Sequence, residues 1–247
     1  MEQITILGSS NAVAKYGQEN THLFISTDDK RILVDCGDNP MAKLTAIGTS
    51  ICDVTDLILT HFHADHLGSL PLLIMDMWLE KRQNPLIIYG LEYTLDRVKK
   101  LLELFNWQNW QNMFPVEFNV IAETGMEDLI VGKNVVVSAL PVLHLVPTVG
   151  LRFEFSSGRI VTYSCDTEPC ENLYRLAQDA DVLLQESAGE SKGHTSAKQA
   201  GEIATQCGVK KLILIHYDKR QGEQNLVADA RGGFSGEVLA AQDLMSV

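Results

Sequence analysis

The 247-residue sequence lacks the long apolar run that a membrane-spanning helix requires, since no stretch approaches about 18 consecutive apolar residues. Residues 1–5 also lack the basic start and apolar stretch of a secretory signal. Core-forming residues are plentiful, because 45% of the chain is hydrophobic and its mean hydropathy is near zero. This composition excludes wholesale disorder and fibrous repeats. We therefore expect a globular cytoplasmic protein with no membrane-spanning segment.

Positive charge is scarce in the sequence. The chain has 20 lysines and arginines against 32 aspartates and glutamates, which gives a formal net charge of −12. A chain of this charge does not present the basic surface that neutralises many nucleic-acid phosphates. An anionic substrate must therefore be attracted by a local positive site.

Cysteine is sparse, and its spacing excludes the common paired arrangements. The five cysteines form no C-x-x-C pair, and their odd number does not suit a disulfide framework. Reduced thiols in a reducing compartment fit this usage best. We predict a small buried hydrophobic role for each, namely for Cys36, Cys52, Cys165, Cys170 and Cys207.

No linker and no short-period repeat divides the chain. Apolar and β-branched runs predict strands at 4–7, 22–26, 31–34, 57–60, 86–89, 116–121, 135–140, 149–155, 159–163, 182–185, 212–215, 237–240 and 244–247. Helical patterns are found at 67–81, 91–105, 170–178, 196–207 and 224–230. Alternating strands and helices predict sheets covered by helices, and two successive β-rich halves favour one domain over residues 1–247.

The main chemical signal is an H-x-H-x-D-H segment directly after the strand at 57–60. It supplies His61, His63, Asp65 and His66. A strand-to-helix turn points successive side chains in different directions, so His61 and His63 can bind one cation while Asp65 and His66 turn toward a second. Imidazole and carboxylate ligands in this mixture suit zinc, with manganese or iron as alternatives.

This segment resembles the metallo-β-lactamase-fold hydrolases. Within that superfamily the chain is most similar to ribonuclease Z and its phosphodiesterase relatives, through Leu7-Gly8-Ser9, segment 166–173, and Glu186 followed by segment 193–200. The resemblance spans residues 4–247. It implies an α/β fold of the αββα sandwich type, in which two mixed β-sheets pack face to face with helices on the outside.

The resemblance also implies the remaining metal ligands. In this superfamily they are a histidine, an aspartate that bridges both metals, and a final histidine, each following a strand. The matching residues are His144, Asp166 and His216. With the first four ligands they would hold two divalent metal ions, with zinc favoured.

Glu186 and His194 form a candidate acid pair that other branches of the superfamily generally lack. Ser196 and Gln199 can form a capping box, which places His194 at the entrance of a helix where backbone N–H groups favour an anion. A hydrogen bond from the ring to Glu186 would keep the imidazolium populated near neutral pH. His194 would then protonate a leaving oxygen. A metal-bridging hydroxide, oriented by Asp65, would attack phosphorus.

The chain departs from ribonuclease Z at a place that bears on the substrate. Ribonuclease Z enzymes usually carry an arm between the third histidine and the bridging aspartate that clamps transfer RNA, but His144 and Asp166 are only 22 positions apart. This spacing leaves no room for the arm. The missing arm and the negative charge favour a small phosphodiester or nucleotide-like substrate over RNA. Arg220 matches a family arginine and would hold either a phosphate or a loop.

The resemblance further suggests a homodimer. For Trp107 and Trp110 the sequence leaves three alternatives open: they line a substrate mouth, form a dimer face, or cap the core.

Two other function classes stay open from the sequence. The same metals could cleave a lactone, thioester or sulfate ester, although the Glu186 and His194 pair favours a phosphodiester because its alkoxide leaving group benefits from an acid. A scaffold that keeps metal only for stability is the non-enzyme alternative, which a full ligand set with an added acid disfavours.

Overall fold

The computed structural model describes residues 2–247, which form two β-sheets with helices on their outer faces. Within this range the first sheet has seven strands in the spatial order β14, β1, β2, β3, β4, β5, β6. They are β1 (Gln3–Gly8), β2 (His22–Ser26), β3 (Arg31–Val34), β4 (Asp56–Ile58), β5 (Leu86–Leu91), β6 (Val116–Ile121) and β14 (Met245–Ser246). β1 to β3 are antiparallel, and β3 to β6 are parallel.

The second sheet also has seven strands in the described range, in the order β13, β12, β11, β10, β9, β8, β7. They are β7 (Glu127–Val131), β8 (Val135–Val142), β9 (Thr148–Phe155), β10 (Ile160–Tyr163), β11 (Val182–Glu186), β12 (Lys211–Ile215) and β13 (Glu237–Ala240). β10 to β13 are parallel, and β7 to β10 are antiparallel. Both sheets are therefore mixed.

The helices separate the sheets from solvent. They are α1 (Pro40–Ala46), α2 (Ala64–Leu67), α3 (Leu70–Leu79), α4 (Glu92–Glu103), α5 (Glu171–Ala177), α6 (Ala197–Gln206) and α7 (Glu223–Arg231), with short 3-10 turns at Ile51–Asp53, Trp107–Asn109 and Lys219–Gln221. Among residues 2–247, no helix combines the length and apolar character that crossing a membrane would need.

Strand alternation places the core. In β2, Leu23 and Ile25 join one hydrophobic cluster with residues of the second sheet, whereas Phe24 between them joins another with α3 and α4. A strand that alternates in this way has both faces buried, one against the other sheet and one against helices. The arrangement is the αββα sandwich expected from the sequence.

Most predicted elements are present, and each predicted strand lies within two residues of its expected bounds. The predicted helix at 67–81 is interrupted at Gly68 and Ser69, which separate α2 from α3. The analysis of the sequence missed α1 and β7, the second because its acidic start hides the apolar alternation of an edge strand. Cys36, Cys165 and Cys207 are buried as predicted, but Cys52 and Cys170 are partly exposed.

The strand directions bring the chemistry-bearing loops to one edge of the sandwich. β3 and β4 are parallel in the first sheet, and β8, β10, β11 and β12 run in a common direction in the second. Glu186 is the last residue of β11, and the segments that follow the other strands contain Asp35, residues 61–66, His144, Asp166 and His216. Ligands commonly bind at the carboxyl ends of parallel strands for this reason.

Candidate metal centre

Four candidate ligands lie where the chain passes from β4 into α2, two of them before the helix and two within it. His63 is the N-cap residue of α2, so residues 61–66 wind around a strand-to-helix turn. Within it His61 and His66 are buried, whereas His63 and Asp65 are partly exposed. A glycine at position 37 allows the turn to pack closely, because a Cβ on Gly37 would lie 1.8 Å from the Asp65 carbonyl oxygen.

Three imidazoles converge in the first donor cluster. His61 Nε2 lies 3.0 Å from His63 Nδ1, which lies 3.2 Å from His144 Nε2. Burial lowers the pKa of all three rings, most strongly that of His61. Since the neutral imidazole is the form that binds a metal ion, this cluster has the right donors for one cation.

The second donor cluster contains two carboxylates and two imidazoles. His66 Nε2 lies 3.5 Å from Asp65 Oδ2 and 3.5 Å from Asp166 Oδ1. His216 Nε2 lies 3.4 Å from Asp65 Oδ2 and 3.4 Å from Asp166 Oδ2. These four distances are longer than charge-assisted hydrogen bonds, which measure about 2.7–2.9 Å. They match the separation of two ligands of one tetrahedral zinc, which are about 3.4 Å apart when each lies about 2.1 Å from the ion.

Unpartnered buried atoms support the same interpretation of the second cluster. His66 Nε2 and Asp166 Oδ1 are buried and have no hydrogen-bond partner among the described residues. Buried polar atoms in folded proteins nearly always have a partner. A divalent cation would satisfy both atoms, so the residues present fit the metals that the fold family implies.

Asp166 connects the two clusters. Its Oδ2 atom lies 3.4 Å from His216 Nε2 and 3.9 Å from His144 Nε2. Burial by itself would raise the pKa of Asp166, but the His216 and His66 imidazoles hold that pKa well below its usual range. Burial likewise acts to lower the pKa of His66, yet the Asp166 and Asp35 carboxylates raise it well above its ordinary value. The carboxylates thus favour positive charge where a cation would sit.

Asp35 is a site residue that the analysis of the sequence missed. Its fully buried carboxylate accepts hydrogen bonds from Thr60 N at 2.9 Å, Thr60 Oγ1 at 2.7 Å and His66 Nδ1 at 2.9 Å. Thr60 Oγ1 in turn accepts from His61 Nδ1 at 3.1 Å. Asp35 therefore orients one imidazole of each cluster and leaves each Nε2 free for a metal ion. Its position directly after a buried strand was the available signal.

His194 lies beside the two donor clusters, in the loop that links β11 to α6. Its ring centroid lies 5.0 Å from that of His144 and 5.9 Å from that of His216. Its Nδ1 donates to Glu186 Oε1 at 3.0 Å, and this hydrogen bond is the main cause that raises the pKa of His194. Glu186 is fully buried and also accepts from the backbone N–H of Thr195 at 2.9 Å. The pair is thus fixed in one geometry.

The capping box that was expected beside this pair is present. The Ser196 side chain accepts from Gln199 N, and the Gln199 side chain accepts from Ser196 N. His194 lies two residues before this cap, so it precedes α6 rather than opening it.

All sequence-predicted site residues except Arg220 come together at this edge. Arg220 extends into solvent with its side chain 73% exposed, and its guanidinium binds the carboxylate of Asp218. Within residues 2–247, its hydrogen bonds do not reach the ligand set. Trp107 is buried in the helix-side core, and the Trp110 ring packs 5.0 Å from that of Trp78, which matches the core-capping alternative.

Comparison with known proteins places the chain among relatives of the expected kind. A family model described as "Anti-Pycsar protein Apyc1" matches residues 2–238. The chain is also similar to ribonuclease Z of Methanosarcina mazei, with 27% identity over 100% of this chain and 98% of that protein.

Two solved structures share the fold. They are the metallo-β-lactamase fold protein YhfI from Bacillus subtilis, with a TM-score of 0.84 and 21% identity over 100% of this chain and 98% of that one, and the short form of human tRNase Z, with a TM-score of 0.78 and 21% identity over 99% and 98%. The predicted metallo-β-lactamase fold and the resemblance to ribonuclease Z are confirmed.

Proposed function

This chain belongs to the Anti-Pycsar protein Apyc1 family, and from that premise we propose that it cleaves a phosphodiester bond at a centre of two divalent metal ions. The observation that carries the proposal is the position of Asp166, which is buried between two donor clusters whose facing atoms are spaced for shared cations. Zinc suits these donors best, with manganese or iron as alternatives.

The ligands divide between the two metals as the geometry groups them. His61, His63 and His144 would hold one ion; Asp65, His66 and His216 would hold the other; and Asp166 would bridge them. When bound, the cations supply Lewis acidity and a nucleophile from water at neutral pH. They also turn the edge of a strongly acidic protein into a local positive site that can attract a phosphodiester.

Two side chains would move or orient protons during the reaction. We assign His194 as the general acid, because Glu186 holds its Nδ1–H and leaves the Nε2–H free to protonate the departing oxygen. Its side chain is 19% exposed, so it can regain a proton from solvent. Asp65 is partly exposed at the centre and would accept a hydrogen bond from the attacking water, which orients that water as well as binding metal.

A small substrate is favoured over RNA. The positions between His144 and Asp166 are filled by β9 and β10, which pair tightly from Glu154–Ile160 to Leu151–Tyr163, so no clamping arm is inserted there. The net charge of −12 also disfavours extended nucleic-acid binding. We therefore propose a small phosphodiester or nucleotide-like ester, such as a cyclic nucleotide. A cytoplasmic location and a homodimer are part of the same proposal, and sedimentation of the purified chain would test the dimer.

The test combines metal analysis with parallel activity assays. We expect about two equivalents of metal per chain, turnover of a chromogenic phosphodiester and of a cyclic nucleotide, and little turnover of a lactone, an aryl sulfate or a precursor transfer RNA. His194→Ala should lower kcat by about 10²–10⁴-fold for an alkoxide leaving group while the bound metal is retained. Glu190→Ala, on the same loop, is the control. Robust lactonase activity without phosphodiesterase activity would overturn the proposal.

A further inference from the structure

Segment 166–168, which contains the bridging aspartate, is tied to segment 193–195, which contains the candidate acid. Thr195 Oγ1 donates to Thr167 O at 2.5 Å, and Gly193 N donates to Glu168 Oε1 at 2.7 Å. The two loops that approach the centre from β10 and β11 therefore hold each other directly. Of the four residues in these two hydrogen bonds, Glu168 is the one that contributes a charged side chain.

Gly193 supports the metal ligand His144. The His144 Nδ1–H donates to the Gly193 carbonyl at 2.6 Å, which leaves Nε2 as the nitrogen that faces the centre. Gly193 is buried with a φ of +84°, and a Cβ there would lie 2.9 Å from His144 Nδ1 and 2.9 Å from Leu145 Cγ. Only glycine fits this position, but glycine alone does not fix its own backbone.

Glu168 fixes both sides of this contact. Its carboxylate accepts from the N–H of Gly193, and its own backbone N–H donates to the carbonyl of Leu143 at 2.8 Å. Leu143 directly precedes His144 in the chain. Glu168 thus anchors the backbone on both sides of the His144 contact. It binds Leu143, which precedes His144, and Gly193, which accepts the hydrogen bond from the His144 ring.

We propose that Glu168 is a positioning residue that holds His144 in its metal-binding orientation by clamping Leu143 and Gly193. The inference rests on the proposed function, because it requires that His144 bind a cation. The residues that orient a ligating histidine set its tautomer and ring direction, and losing them weakens metal binding. Glu168 belongs to neither donor cluster, so we expect its effect to pass through His144.

The test measures zinc affinity by competition with a chromophoric chelator in the full-length protein. Glu168→Ala should weaken the binding of one of two zinc ions by about 10–100-fold. Glu168→Gln keeps an acceptor oxygen for Gly193 N–H and should stay within about threefold of the wild type. Gly193→Ala displaces the Gly193 carbonyl that accepts from His144 and should weaken the binding of the same zinc ion. Glu190→Ala removes an exposed carboxylate from the same loop and should leave both affinities unchanged.

The outcomes separate this inference from the proposed function. If the wild type binds fewer than two ions, the proposed function fails and this inference fails with it. If the wild type binds two ions and Glu168→Ala binds both with unchanged affinity, only the role of Glu168 is wrong. A loss of metal affinity in Glu168→Gln as large as in Glu168→Ala also overturns it. The unfolding temperature of metal-free Glu168→Gln should match that of the metal-free wild type. Metal-free Gly193→Ala and Glu168→Ala should unfold at lower temperatures, because the first strains the backbone and the second leaves the buried Gly193 N–H without its acceptor.

Discussion

At the scale of single residues, three of the eight non-glycine residues with a positive φ among residues 2–247 lie at or beside the candidate centre. Asp35, Cys165 and His216 have φ values of 62°, 53° and 54°, which lie in the left-handed region that favours glycine. Each follows the end of a strand and is, or adjoins, a residue of the ligand set or its support. Strained non-glycine residues tend to cluster at functional sites because the surrounding structure holds them there. The Cys165 thiol also lies 3.6 Å from His61 Nδ1.

A histidine outside the centre should make stability depend on pH. His22 is buried, donates from Nδ1 to Asn20 O at 2.8 Å, and has a buried Nε2 without a partner among the described residues. Burial lowers the pKa of His22 from 6.5 to about 4. Between these values the unfolded chain binds a proton that the folded chain does not, so stability falls as pH decreases. The loss should reach about 3 kcal/mol by about pH 4.

The variant His22→Asn isolates this contribution, because Asn Nδ2 can donate to the same carbonyl but does not titrate. Urea unfolding of the metal-free proteins at about pH 7 and about pH 4.5 gives the free energy of unfolding at both ends of the window. We expect the wild type to lose more stability than the variant on acidification. Equal losses in the two proteins would contradict the assignment to His22.

At the scale of secondary-structure elements, Asp35 joins three of them at the site. It follows β3, binds Thr60 after β4, and accepts a hydrogen bond from His66 in α2. The sequence predicted β3, the strand before His61 and the motif itself, because hydrophobic alternation is a local property. It could not indicate that Asp35 lies beside His66, since 31 positions separate them and only the parallel pairing of β3 with β4 brings them together.

We expect Asp35→Asn to weaken zinc binding by about 10–100-fold, because one of the two acceptor oxygens becomes an NH2 donor. In either orientation of the amide, that NH2 group faces a donor of Thr60 or His66, which disturbs the contacts that orient the His66 ring. Chelator competition measures the affinity. Asp56→Asn is a matched control, since Asp56 is also fully buried, accepts hydrogen bonds from Lys30 and Tyr89, and begins β4 at the end away from the metal centre. Both variants should lower stability, and only the first should lower metal affinity. Equal affinities in both would contradict the role of Asp35.

At the scale of the whole molecule, the cores and the metal centre are separate. The two hydrophobic clusters are built from apolar residues of the sheets and helices, and the ligand set lies at the edge where the strands end. The folded chain therefore does not depend on metal for its core. Metal should still stabilise it, because the ligands are assembled only in the folded state.

Removal of metal should lower the free energy of unfolding by about 4 kcal/mol for each ion, and so by about 8 kcal/mol for two, relative to protein with free zinc at about a thousand times both dissociation constants. Thermal unfolding at a series of buffered zinc concentrations checks this, and the metal-free protein should still unfold cooperatively. Asp166→Asn removes the bridging charge with little change of shape, so its unfolding temperature should respond much less to zinc. A response equal to that of the wild type would argue against a bridged centre.

The sequence by itself determined most of the strands and helices, although not α1 or β7, together with the H-x-H-x-D-H turn and the acidic charge, because each depends on neighbouring residues or on composition. Resemblance to a family added His144, Asp166, His216 and the Glu186 and His194 pair. Only the tertiary structure decided that these residues meet, that Asp35 supports them, and that Arg220 turns to solvent toward Asp218. The physical reason is that convergence depends on strand direction and on the packing of two sheets, which bring together side chains that are up to 155 positions apart, from His61 to His216.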